Sequence, residues 1–333
     1  MAKSSDNPLV SIIIPLHWGL KPENFPRFLT DLKKYDKLKY QHYEILVVTD
    51  KPIVPVITGK KVRCLVMNIN HPTTGTEKRD FALPFVKGEI CAFIDDDAYP
   101  DSNWLTNAIP WFKYERIVAV GGPGVTPLED SFWQKIGGYA IESYFCSGNI
   151  QYRFYPTFER FSKDQPGYNL LVRTSVLKKV KGWGTTFYGG EDTVLCIKLL
   201  KFGKILHDPN IIVYHHRRTF PFGHLKQIGS VGLHRGYFFK KYPQTSRGTF
   251  YLLPTILTLG FISGIVLVVR FPQLFALPFV LVFLFFLLLG TISVYRHKVD
   301  ITSSLIASIA IMMTHMSYGV FFVKGLLTHH LNK

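Results

Sequence analysis

Along residues 9–218, uninterrupted apolar runs alternate with segments of helical spacing. "LVSIIIPL" (9–16), "YEILVVTD" (43–50), "VRCLVMN" (62–68), "EICAFIDDD" (89–97) and "RIVAVGGPGVTP" (116–127) are rich in β-branched residues and lack a polar alternation. That pattern predicts strands buried on both faces. Between them, "PENFPRFLTDLKKY" (22–35) and "TEKRDFALPFVKG" (76–88, despite Pro84) carry helical spacing. A later helix is predicted over "EDTVLCIKLLKFG" (191–203), with Leu195 and Leu199 on one face and Gly203 as its stop. Strand and helix in alternation imply an α/β domain with a mostly parallel sheet. Such sheets bind ligands past the carboxyl ends of their strands, where Asp50 and Asp95–Asp97 fall. The rhythm breaks over 131–168, which is aromatic-rich and irregular.

The rest of the chain follows a different pattern. Three apolar stretches, 250–269, 271–295 and 301–323, contain no charged residue, although His315 lies in the third. Each approaches the ~20 residues that cross a hydrocarbon layer as a helix. The "RFPQ" turn between the first two is short enough that a hairpin short of full crossing is an alternative. Residues 217–248 mix cations with aromatic rings and hold no acid, as suits a headgroup layer. The expected division is therefore 1–216 as a catalytic α/β domain, 217–248 as an interface segment and 249–333 as a membrane region.

Charge reinforces this division. The net charge is +16, but residues 209–333 hold 12 of the 39 bases and only one of the 23 acids, Asp300. A basic surplus suits nucleic acid or an anionic membrane surface. Here it flanks hydrophobic spans in a chain that is 47% hydrophobic with 27 Phe, so membrane lipids are the expected partner and nucleic acid is not. Bases before the first span and between the second and third place the N-terminal domain in the cytosol by the positive-inside rule. "MAKSSDNPLV" shows no signal-peptide core, which agrees. The four cysteines form no C-x-x-C pair and read as buried thiols in a reducing compartment.

Three aspartates in a row, Asp95, Asp96 and Asp97, repel one another unless a cation neutralises them. Mg²⁺ or Mn²⁺ takes oxygen ligands, typically one or two carboxylates together with substrate phosphates. A metal–diphosphate site is expected, with Asp97 and Asp95 on the metal. Glu191 and Asp192 open a predicted helix, where the positive helix end favours carboxylates. In "YHHRR" (214–218), His215 and His216 are adjacent on a strand and point oppositely, so they are not expected to share an ion. Arg217 and Arg218 carry forks suited to a donor diphosphate or a lipid phosphate. Neither a dinucleotide G-x-G-x-x-G nor a P-loop lysine motif is present.

Taken together, "VSIIIPL", "VVTD", "GTEKRDFALPFVKGEICAFIDDDAYP" and "GWGTTFYGGEDTVLCIKLLKFGKILHDPNIIVYHHRR" resemble the family 2 glycosyltransferases in order and spacing. The resemblance implies a GT-A fold, a nucleotide-sugar donor, a divalent metal and single displacement with inversion. It places Pro15 at the end of the first strand of the donor site, Asp50 on the nucleotide base and Arg79 on the nucleotide. The metal-binding D-x-D falls on Asp95 and Asp97, with Asp96 between them, and the general base falls in the "ED" pair on Asp192, beside Glu191. In place of the family's A-R-N element the chain reads "KRD", which leaves Asp80 without an assigned role. With three spans and a cationic collar, the expected acceptor is a lipid-linked saccharide or glycolipid. Transfer to a polyprenyl phosphate, a processive synthase (whose Q-x-x-R-W element is not seen) and a non-catalytic membrane scaffold are the alternatives. No feature sets an oligomeric state.

Overall fold

The structure, a computed structural model, describes residues 7–17, 25–52, 57, 59–185, 187 and 190–331. Among the described residues the strands are β1 Val10–Pro15, β2 Tyr43–Thr49, β3 Val62–Val66, β4 Ile90–Phe93, β5 Ala98–Pro100, β6 Ile117–Gly121, β7 Gly124–Val125, β8 Arg160–Ser162, β9 Leu170–Arg173, β10 Lys204–His207 and β11 Val213–His215. The chain divides into two compact units.

The first unit combines Met1–Val125 with Pro156–His215. Eight strands form a mixed sheet in the order β3-β2-β1-β4-β9-β6-β10-β8, and β5-β11-β7 form a small second sheet. β3, β2, β1 and β4 run parallel, as does β10 beside β6, while β9 runs antiparallel to both β4 and β6. Successive β1 residues enter different cores. Ile12 and Ile14 join one buried cluster, and Ile13 joins another with Leu46 and Phe93. This is why the run carries no polar alternation.

Two sequence expectations change here. The fourth strand stops at Phe93, so the aspartates lie in the turn beyond it rather than inside it. The 116–127 run splits into β6 and β7. The helix expected at 22–35 runs Phe25–Lys34, and residues 22–24 lie outside the described ones. The Gly75–Ala82 helix starts on Thr74, which forms a capping box with Glu77, and Pro84 falls in the short 3₁₀ turn that follows.

The second unit combines Thr126–Tyr155 with His216–Asn332. The irregular 131–168 stretch is thus divided between the units, and its first part contains the Phe132–Glu142 helix. Much of the expected interface segment is a 20-residue helix, Phe222–Lys241. Glycines let this helix approach Ile301–Leu327 closely. A Cβ at Gly236 would lie 2.0 Å from the Phe322 carbonyl oxygen, and one at Gly325 would lie 2.1 Å from that of Leu233.

Thr249–Arg270, Pro272–Tyr295 and Ile301–Leu327 are long and apolar enough to cross a membrane. At 22 and 24 residues the first two measure about 33 and 36 Å, enough for the ~30 Å hydrocarbon layer. Their exposed Leu, Ile, Val and Phe side chains suit contact with lipid tails.

Candidate active site

The candidate site is built at the strand ends of the first unit. Asp50 follows β2 and is buried. Its carboxylate pairs with Lys78 Nζ at 2.7 Å and accepts a hydrogen bond from the Thr73 hydroxyl. The Asp50 charge is therefore already neutralised by the protein, a pairing that burial demands. Lys78 also donates to the Thr73 carbonyl oxygen at 2.9 Å. Sequence reasoning missed Lys78 and Thr73. The capping box at Thr74 was the available signal, because it starts the helix that carries Lys78 inward.

Arg79 follows on the same helix. Its guanidinium contacts Asp95 Oδ1 at 2.5 Å and lies over the Trp183 ring, 4.5 Å from the centroid. Asp96 accepts a hydrogen bond from the His17 backbone N–H at 2.8 Å, so the middle aspartate ties the acidic turn to the segment after β1. Pro15 is the buried last residue of β1, opposite Val48.

Asp97 is buried, and its Oδ1 lies 3.0 Å from His215 Nε2. Antiparallel pairing of β11 with β5 sets His215 opposite Ala98, next along the chain from Asp97. Asp95, Asp97 and His215 offer ligand atoms that lie within 4.8 Å of one another. The second ring nitrogen of His215, Nδ1, is buried without a hydrogen-bond partner. Two carboxylates and one imidazole fit a divalent ion of the Mn²⁺ or Mg²⁺ type, and the imidazole favours the transition metal. The two histidines do point apart, since His216 turns to Asp130. What sequence reasoning lacked is that one of them joins the D-x-D.

Asp192 lies in the first turn of the Glu191–Leu199 helix, behind Gly190 in the left-handed region at φ 100°. Tyr188 and Gly189 of the "FYGG" stretch lie outside the described residues. Burial first, then the adjacent Glu191 charge, pushes the Asp192 carboxyl up to about 8, against the pull of Arg79 and of a hydrogen bond from the Gly167 backbone. A helix N-terminus is worth about 0.3–1 kcal/mol to a carboxylate, less than one pKa unit. Burial shifts a carboxyl by up to about 3–5 units and wins here. Glu191, half-buried, is the neighbour that sustains the shift.

Arg217 and Arg218 belong to the second unit. Arg217 is buried, with NH2 3.4 Å from Glu142 Oε1 and Nε 3.0 Å from the Thr126 hydroxyl. Its backbone N–H donates to Asp130 Oδ2 at 2.9 Å. The fork expected to hold a phosphate is instead engaged with a buried carboxylate. Arg218 is exposed.

The family model for glycosyl transferase family 2 matches residues 11–188, more than half of the chain. Over 181 residues the chain is 25% identical to the Pre-mycofactocin glycosyltransferase of Mycobacterium tuberculosis, matched in two strains. That match covers 53% of this chain, which spans 38% of the relative's length. Among solved structures, the mannosyltransferase PcManGT from Pyrobaculum calidifontis, in complex with GDP-Man and Mn²⁺, superposes with a TM-score of 0.56. That likeness covers 93% of this chain and 89% of the other at 14% identity, and so speaks to the fold. With the GT-A architecture in place and the family model spanning Asp50, Arg79 and the D-x-D, the chain belongs to glycosyl transferase family 2.

Proposed function

We propose that this protein is a membrane-bound, inverting glycosyltransferase. It moves a sugar from a nucleotide-diphosphate sugar to a hydroxyl of a lipid-linked saccharide or glycolipid at the cytosolic face. The observation that carries the reading is the convergence on Arg79, which contacts Asp95 and acts on the charge of Asp192. One residue thus links the candidate metal ligands to the candidate base. A solved neighbour that holds GDP-Man and Mn²⁺ supports a nucleotide-sugar donor.

Asp95, Asp97 and His215 would hold a divalent cation, which supplies positive charge against the departing diphosphate. Arg79 adds a fixed cation beside it. Asp192 accepts the proton of the acceptor hydroxyl. The hydroxyl oxygen bonds to the anomeric carbon as the carbon–oxygen bond to the diphosphate breaks, and the electron pair leaves with the nucleoside diphosphate. A carboxyl pushed up to about 8 is a base suited to a hydroxyl. A polyprenyl phosphate acceptor is already ionised and needs no such base. Three helices of spanning length and the bases around them support a membrane acceptor and a cytosolic site.

The test is incubation of detergent-solubilised protein with a panel of nucleotide sugars and lipid extract, with and without Mn²⁺. Nucleoside diphosphate release together with a lipid heavier by one sugar is expected. Release with no lipid product would refute the lipid acceptor, and absence of any nucleotide binding would support the scaffold.

The pH profile offers a second test. Asp192 works only when ionised, so kcat/KM rises with pH through an apparent midpoint near about 8. Glu191→Gln removes a neighbouring negative charge and eases ionisation. Its rising limb should move to lower pH, and an unmoved limb would show that another group sets it.

A further inference from the structure

Three consecutive residues of the Gly75–Ala82 helix serve three different partners. Lys78 pairs with Asp50 and Arg79 with Asp95. The third, Asp80, is assigned no task by the chemistry above, yet its surroundings are closely built. Asp80 Oδ1 accepts from the Trp183 N–H at 2.7 Å, and Oδ2 accepts from the Gly184 N–H at 2.9 Å. Both oxygens thus grip one turn, in which Lys181, Gly182 and Gly184 all adopt positive φ. The fit is close, since a Cβ on Gly182 would lie 2.2 Å from Asp80 Oδ1. Lys198 holds the same turn from the Glu191–Leu199 helix, donating to the Trp183 carbonyl oxygen at 2.6 Å. Thr76 donates to the Thr185 carbonyl oxygen at 3.0 Å.

What the turn fixes is Trp183. Its indole is fully buried and packs edge-on against Phe93, the last residue of β4. It also carries the Arg79 guanidinium on its face. It also packs against Gly167, where a Cβ would lie 2.6 Å from Trp183 Cη2 and 2.6 Å from Asp192 Oδ1. Gly167 in turn donates a backbone hydrogen bond to Asp192. A continuous chain of contacts therefore runs from Asp80 through Trp183 and Gly167 to Asp192.

We propose that Asp80 is a positioning residue: it clamps the Gly182–Gly184 turn so that Trp183 holds the bed on which Asp192 meets the acceptor hydroxyl. The proposal rests on the assignment of Asp192 as base. Among the described residues, both oxygens of the Asp80 carboxylate are engaged by the turn. Both carboxylate oxygens are needed, because an amide can accept at only one of them. Displacement of a catalytic group by about 1 Å is worth up to about 100-fold in rate.

The test compares Asp80→Asn with wild type in three measurements: transfer kcat, affinity for Mn²⁺ with GDP or UDP, and the thermal unfolding midpoint. A fall in kcat of about tenfold or more is expected, with nucleotide affinity within about twofold of wild type. Counting nucleotide sites corrects for any unfolded fraction. Lys198→Met loosens the same turn from the other side and should lower kcat in the same direction, so the proposal stays testable if the Asp80 variant fails to fold. Unchanged kcat in whichever variant folds, or a loss confined to nucleotide affinity, would overturn it. Wild-type protein that releases no nucleoside diphosphate from any donor would instead overturn the glycosyltransferase reading itself.

Discussion

Asp192→Asn is expected to lower kcat for sugar transfer by about 10²–10⁴-fold, the range that general base catalysis contributes. Metal and nucleotide binding should stay close to wild type, because the D-x-D, Arg79 and Asp50 are untouched. The substitution preserves size, and the amide oxygen can still accept the Gly167 backbone hydrogen bond. A second, independent readout is stability. The folded-state carboxyl titrates above its ordinary value, so its ionisation disfavours the fold. That penalty develops as pH rises from the normal carboxylate range to about 8 and is complete above it. Asparagine has no such penalty. The variant's unfolding midpoint should therefore exceed that of wild type by a margin that widens between about pH 5 and pH 9. Full transfer activity in the variant would remove Asp192 from the mechanism. A margin that stays flat with pH would show that its carboxyl is not the raised group described.

Asp97→Asn and His215→Ala should each weaken Mn²⁺ binding by about 100-fold or more, beyond the 10–100-fold typical of an outer-shell partner. Charge stabilisation by a bound metal is worth several kcal/mol, so transfer should fall by about 10³-fold at limiting Mn²⁺. Calorimetric titration of Mn²⁺ in the presence of nucleoside diphosphate measures the first effect. Raising Mn²⁺ tests the second, since activity of the His215 variant should recover in part. The competing account is that Asp97 and His215 form only a structural pair 3.0 Å apart. In that case the His215 variant would unfold more easily yet bind Mn²⁺ as wild type does, and the ligand assignment would be withdrawn.

Several features of the site were legible along the chain because each depends on near neighbours. Unbroken β-branched runs marked the strands, and the acids at their ends marked the turn where the candidate site lies. The helical spacing of 76–88 marked the helix that carries Arg79. The "ED" pair opened its helix as expected, although the sign of its electrostatics did not follow. Local reasoning favoured a stabilised carboxylate at a helix start, whereas the fold packs Asp192 against Gly167, so desolvation dominates.

What the sequence by itself determined was the α/β rhythm, the three apolar helices of spanning length and the clustering of acids at strand ends. All of these arise from hydrophobic periodicity and contacts a few residues apart. Only the tertiary structure decided that His215, 118 residues from Asp97, joins the D-x-D through antiparallel strand pairing. It also decided that Lys78 neutralises Asp50, that Arg217 turns inward to Glu142, and that Asp80 grips the Trp183 turn. Those choices depend on which distant groups share one buried volume and must neutralise one another there. Spacing along a chain carries no record of that.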